Sequence, residues 1–151
     1  MKDKQLSVTA IKEGTVIDHI PSESLFKVIS ILGLDTLETL VTFGNSFESK
    51  KLGKKGIIKV SDVFFSTEDI NKIALVAPSA KLNIIRNYEV VDKVKVEIPD
   101  KVQGIIKCVN PKCITNNEVV STKFQVISKN DLQLKCHYCE KITTKDNLDM
   151  I

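Results

Sequence analysis

Cys108-Val109-Asn110-Pro111-Lys112-Cys113 and Cys136-His137-Tyr138-Cys139 contain all four cysteines of the chain, as a C-x4-C and a C-x2-C cluster with twenty-two residues between them. Each pair fits on a tight turn, and the segment between is long enough to cross and return. That spacing suits a structural zinc site, because a turn that presents two thiolates supplies half of a tetrahedral shell and two turns close it. A shell filled by protein leaves no open position for an activated water, so the metal is expected to hold the fold and not to catalyse. Two disulfides, or four unrelated buried thiols, are the other readings. No apolar leader precedes Lys2-Asp3-Lys4, which sets the expectation of a reducing, cytoplasmic compartment and weakens the disulfide alternative. His137 lies between two ligands but joins a set that is already complete, and is expected at the surface.

Around the clusters, strands are expected at 102–107, 119–128 and 132–136, with a short one at 141–144. About fifty residues are too few for a self-sufficient core, which gives the metal its purpose. This tail, residues 99–151, reads as a small antiparallel zinc-ribbon-like β domain.

Upstream, Pro99-Asp100 marks a break from a different pattern. Leu6 to Ile11 alternates, and Thr15 to Ile20 follows a turn at Gly14. Ser22-Glu23-Ser24 offers capping groups for a helix with Leu25, Ile29 and Leu32 on one face, stopped by Gly33. Residues 39–47 return to strand composition, a lysine- and glycine-rich loop spans Lys50 to Gly56, and 57–60 is the next strand. Ser66, three residues before Asp69, caps a second helix with Ile70, Ile73, Ala74 and Ala77 inside and Pro78 beyond. Residues 82–85 and 90–98 complete the segment. Apart from the first strand, this is β-α-β-β-α-β, a ferredoxin-like antiparallel sheet with two helices on one face. The fold class is therefore α+β, with domains at 1–98 and 99–151. The free sheet edge favours pairing into a homodimer.

Composition narrows the function. The chain has 151 residues, 42% of them hydrophobic, and no apolar run reaches the roughly 20 residues of a membrane span. Residues 1–100 carry fourteen basic and fourteen acidic side chains, and residues 101–151 carry eight and five. Four thiolates on one divalent ion bring the second segment to about +1, a weak basis for a nucleic-acid groove. Arg86 is the single arginine and there is no tryptophan, so bidentate and stacking contacts to bases are scarce.

Several stretches together resemble one family: A-I-K-E-G-T-V-I-D-H-I-P at 10–21, A-P at 77–78, N-x-I-x-N-Y-E-V-V-x-K at 83–93, and the two cysteine clusters with C-H-Y-C-E-K at 136–141. The chain is similar to the regulatory chain of aspartate carbamoyltransferase over nearly its whole length. The resemblance implies a non-catalytic chain whose N-terminal domain binds CTP or ATP and dimerises, and whose zinc domain grips the catalytic chain. It places Ala10 and Ile11 beside the base, with Ile85 and Tyr88 as walls. Asp18 and Lys59 fall at the ribose, His19 and Lys93 at the phosphates, and Asn83 and Val90 complete the pocket. A lysine is a point-charge partner for a triphosphate, and bound phosphate favours protonated His19. Asn110, Glu140 and Lys141, at the knuckles, match positions the family uses against its catalytic chain. Two features depart from the family: its first knuckle often reads C-P-N-x-x-C, and Gln5 stands where some members place a basic residue for a second, metal-bridged nucleotide.

Without the resemblance, His19 reads as an edge histidine, Lys59 and Lys93 as solvated charges, and Tyr88 as a core residue; Lys50, Lys51, Lys54 and Lys55 read first as a solvated loop, with added attraction for phosphate as the other reading. Two other classes are weighed. A zinc-ribbon nucleic-acid-binding protein needs a basic aromatic face that the charge count withholds. A small enzyme needs a reactive pair, and Asp18 with His19 are expected on alternating faces of a strand. Chelation is predicted to unfold the tail while the first hundred residues persist, since structural zinc contributes on the order of 10 kcal/mol; retained amide dispersion of the tail in metal-free protein refutes the staple role.

Overall fold

The computed structural model describes residues 10–151, so the Leu6–Thr9 part of the first expected strand, and Gln5, lie outside the described residues. The chain divides into two compact units, Met1–Glu97 and Ile98–Ile151.

In the first unit, β1 (Gly14–Pro21), α1 (Leu25–Ile31), β2 (Val41–Ser49), β3 (Gly53–Ser61), α2 (Thr67–Lys72), β4 (Lys81–Arg86) and β5 (Glu89–Lys95) follow in order. The sheet runs β2-β3-β1-β4-β5 with every neighbour antiparallel. This is the split β-α-β-β-α-β plan with a hairpin strand, β5, added outside β4. Ile17, Ile20, Ile58, Val60 and Leu82 form its core with Leu25 and Val28 of α1 and Ile70 and Ile73 at α2.

Ile17 and Ile20 are three apart in one strand, yet both are completely buried. A regular strand sends such positions to opposite faces. The register of β1 on β3 shifts between them, and His19 takes a left-handed φ of 61°, so one extra residue returns Ile20 to the core. The expected simple alternation of Val16, Asp18, His19 and Ile20 is therefore corrected by a bulge.

Other expectations shift with packing. Ser22–Ser24 forms a 3-10 turn with no side-chain cap, and Ser24 Oγ donates to the Val76 carbonyl at 2.7 Å instead. On α1, Leu25 and Val28 are buried, while Ile29 and Leu32 are only half-buried. Gly33 ends that helical stretch at φ 64°, as its freedom in the left-handed region predicts. Ser66 Oγ accepts from the Asp69 amide at 3.1 Å and caps α2. The lysine- and glycine-rich loop is mostly strand, since β3 already begins at Gly53.

In the second unit β6 (Lys101–Gln103), α3 (Ile114–Asn117), β7 (Lys123–Ser128), β8 (Gln133–Cys136) and β9 (Ile142–Thr144) make a four-stranded antiparallel meander, β6-β7-β8-β9. Val102, Ile106, Phe124 and Leu134 are its buried apolar centre. All four strands are shorter than expected, β6 and β7 most of all. Gly104, at φ 72°, ends β6, and Ile106 pairs instead with Met150. Among the described residues no helix is long and apolar enough to cross a membrane.

Gly14 opens β1 at φ 138°, and a Cβ there would lie 2.0 Å from the Val60 carbonyl oxygen. Gly14→Ala is predicted to destabilise the first unit by about 3 kcal/mol, read by denaturant unfolding of that unit with metal content unchanged.

Candidate metal centre and open sheet face

The sulfurs of Cys108, Cys113, Cys136 and Cys139 all lie within 4.8 Å of one another. Cys108 and Cys139 sulfurs are 3.5 Å apart and those of Cys113 and Cys136 3.8 Å. Tetrahedral thiolates at a metal–sulfur distance of about 2.3 Å stand about 3.8 Å apart, so the donor set fits one ion. Burial pushes the Cys108 thiol up to about 12 and raises that of Cys136. Burial also acts upward on Cys139, but hydrogen bonds from Lys141, Asn110 and the neighbouring thiols outweigh it and bring it to about 7. Cys108 and Cys136, which resist ionisation in isolation, call for a cation to hold them as thiolates.

The first knuckle is built by amides. Asn110 Oδ1 accepts from the Lys112 amide at 3.0 Å. Asn116 donates to the carbonyls of Cys108 and Asn110 at 3.0 and 2.7 Å, and Asn117 to those of Pro111 and Cys113 at 3.0 and 2.8 Å. Thr115 Oγ1 donates to the Cys113 sulfur at 3.3 Å. The sequence reading missed these three residues; the polar T-N-N run just after Cys113 is the signal that marks them. At the second knuckle Glu140 takes φ 64° and its amide donates to the Cys136 carbonyl at 3.0 Å, while the Cys136 amide donates to the Lys141 carbonyl at 2.9 Å. Glu140 and Lys141 are exposed and Asn110 half-buried. His137 is exposed, stacks edge-on with Tyr138 at 5.0 Å and stands outside the sulfur cluster.

In the first unit, strand register assigns the remaining candidates to faces. Val16 pairs with Asn83 and Lys59, and Asn83 with Lys93. Lys93, Asn83, Val16 and Lys59 thus form one row across the sheet, on the face opposite the buried Ile17, Ile58 and Leu82. Burial lowers the pKa of Lys59. A second row, two residues along, joins Asp18 to Lys81 and Lys81 to Lys95.

At one end of the rows, Gly14 pairs with Ile85 and Ile85 with Val90, and the Tyr88 amide donates to the Lys12 carbonyl at 3.0 Å. Ile11, Ile85, Val90 and Tyr88 are thereby gathered, with Ala10 exposed beside them. Tyr88 is 66% exposed, which corrects its reading as a core residue. At the other end, the bulge turns Asp18 and His19 toward each other. His19 Nδ1 lies 3.6 Å from Asp18 Oδ2, so the pair is not split across two faces as expected. Asp18 is already engaged, with Lys55 Nζ at 3.0 Å and the His19 amide at 2.6 Å.

Burial lowers the His19 pKa; Asp18 opposes this, and Lys55, Lys81 and Lys51 reinforce it. Nδ1 of His19 is buried without a hydrogen-bond partner. The ring borders a depression of about 210 Å³ that Lys51, Ser79, Lys81 and Lys95 also line. Ser79, Lys81 and Lys95 were not among the sequence candidates, while Lys51 belongs to the lysine-rich loop weighed there. Period-two alternation from Asn83 and Lys93 reaches Lys81 and Lys95 and is the signal that could have found them. Like charges paired directly across two strands repel, so the arrangement favours an anion.

Comparison with known proteins agrees with this division. Residues 6–97 match the family described as aspartate carbamoyltransferase regulatory chain, allosteric domain. Residues 100–149 match its metal binding domain. The chain is 58% identical over 146 residues to the aspartate carbamoyltransferase regulatory chain of Bacteroides fragilis, covering 97% of this chain and 95% of that one. It is 57% identical over 146 residues to that of Pyrococcus horikoshii, covering 95% and 96%, and 48% identical over 151 residues to that of Porphyromonas gingivalis, covering both in full. The chain belongs to the family of aspartate carbamoyltransferase regulatory chains, whose members are the allosteric and not the catalytic subunits.

Proposed function

We propose that this chain senses CTP and ATP on the open face of its first unit and transmits their binding to the catalytic chain of an aspartate carbamoyltransferase, controlling pyrimidine synthesis in the cytoplasm. The observation that carries the reading is the continuous strip from Tyr88 through Asn83, Lys59 and Lys93 to the depression at His19, Lys81 and Lys95. The strip follows β1 from Gly14 to Asp18, about 13 Å at strand rise, a length suited to an extended nucleotide. Ala10, Ile11, Ile85, Val90 and Tyr88 offer an apolar end for the base, Asp18 and Lys59 hydrogen-bond partners for the ribose, and Lys93, Lys81, Lys95 and His19 charge for the phosphates. Asp18 repels phosphate and suits the sugar.

Zinc is the metal that a closed four-thiolate shell fits best. Bound there, the ion neutralises thiolate charge and ties the two knuckles together. The knuckles present Asn110, Glu140 and Lys141 on backbone that is already fixed, which lowers the entropy lost when they dock on the catalytic chain. A homodimer of regulatory chains forms through the first unit. The β2 edge is suited to it, since Phe43 is exposed there and packs edge-on against exposed Phe26 at 5.8 Å.

Function then needs no bond chemistry. A nucleotide shifts the catalytic assembly only by its unequal affinity for two quaternary states, typically by about 1–3 kcal/mol. Lys93→Ala is expected to weaken CTP and ATP in calorimetry while regulatory and catalytic chains still co-purify; unchanged CTP affinity removes Lys93 from the site. In the complete assembly, aspartate saturation should shift with CTP or ATP, and a curve indifferent to both refutes the sensing role.

The pH dependence has a definite sign. His19 binds its proton less readily in the empty fold than the usual 6.5 implies, and phosphate restores the proton's affinity. CTP should therefore bind more tightly as pH falls through the pKa His19 has in the complex toward its lowered value in the empty fold, and His19→Asn should flatten that rise.

A further inference from the structure

We propose that Glu13 is a positioning residue for the effector site, holding the Asn87-Tyr88 turn against the segment that carries Ala10 and Ile11. The proposal rests on the nucleotide reading of the open face. Asn87 and Tyr88 are the two central residues of the turn between β4 and β5, and both have positive φ, 52° and 68°. That is the pattern of a type I′ hairpin, which ordinarily places glycine second because a Cβ is crowded there. Tyr88 is 66% exposed. A strained, exposed aromatic contributes little to the core, and such strain persists only where surrounding contacts enforce it.

The enforcing contacts converge on the segment just before β1. Glu13 Oε2 accepts from the Asn87 amide at 2.6 Å. The adjacent Tyr88 amide donates to the Lys12 carbonyl at 3.0 Å. Glu13 Oε1 also lies 3.5 Å from Nη1 of Arg86, whose guanidinium sits 4.3 Å from the centroid of the Phe64 ring. The only arginine of the chain is thus committed to aiming the carboxylate, away from the cationic depression at His19. Both amides at the hairpin tip are satisfied by residues 12 and 13, and Ala10 and Ile11 immediately precede them. The same two bonds therefore fix the turn's conformation and its place against the apolar end of the site. Glu13 does not touch the ligand in this arrangement; it acts through Tyr88.

The test is CTP calorimetry on the full chain for Glu13→Ala, Tyr88→Ala and the double variant. Glu13→Ala should weaken CTP by about fivefold, and the double variant should bind as Tyr88→Ala alone does, the coupling expected of one residue acting through another. A merely structural loss would add to the Tyr88 effect. An unchanged affinity for Glu13→Ala, or additive losses, overturns the role while leaving the nucleotide reading intact. Absence of CTP binding by the unsubstituted chain overturns that reading and this role together. Should Glu13→Ala fail to fold, Glu13→Asp keeps the charge one methylene short of the Asn87 amide, and the same comparison decides.

Discussion

Burying both Ile17 and Ile20 in the central strand is the constraint from which the first unit's chemistry follows. β1 is flanked by β3 and β4, so it has no free edge at which to relax. The single extra residue that returns Ile20 to the core must appear as a bulge. That bulge leaves His19 with a left-handed backbone and Asp18 within reach of Lys55 and of the His19 ring. Serine 79 completes the support, its hydroxyl donating to the His19 carbonyl at 2.8 Å. A packing requirement on one face of the sheet is thus converted into a polar corner on the other.

The second unit solves a different problem with a related device. Its apolar centre is small, and its four thiols are nearly all withdrawn from water. Burial makes ionising Cys108 and Cys136 unfavourable without a metal, and with one the same burial strengthens their hold on it. Backbone shape at the first knuckle is not left to the ion alone, since side-chain amides donate to the carbonyls of Cys108, Asn110, Pro111 and Cys113.

The features legible in the sequence were those set by period and by turn chemistry. Alternation around Val16 and Asn83, the Ser66 cap and the left-handed Gly33 each act within a few residues, and the resulting β-α-β-β-α-β order specifies the sheet. The cysteine spacing likewise implies a cluster, because two tight turns and one excursion suffice to form it. What escaped depends on contacts distant in sequence. The β1 bulge answers to core volume, Ser24 abandons its capping role for a carbonyl fifty-two residues away, and Ile106 finds its strand partner at Met150. Without the resemblance Tyr88 reads as a core residue because aromatic residues normally pack, and only the hairpin geometry exposes it. Lys81 and Lys95 were visible to period-two counting but became a group only when β4 and β5 were paired.

The amides of Asn116 and Asn117 have a consequence for the lifetime of the folded protein. Each uses its NH₂ group toward two carbonyl oxygens. Hydrolysis to aspartate would exchange those donors for a negatively charged acceptor facing the same carbonyls and lying near the thiolates. Slow chemical ageing can therefore loosen the knuckle one side chain at a time, long before heat or denaturant disturbs the sheet.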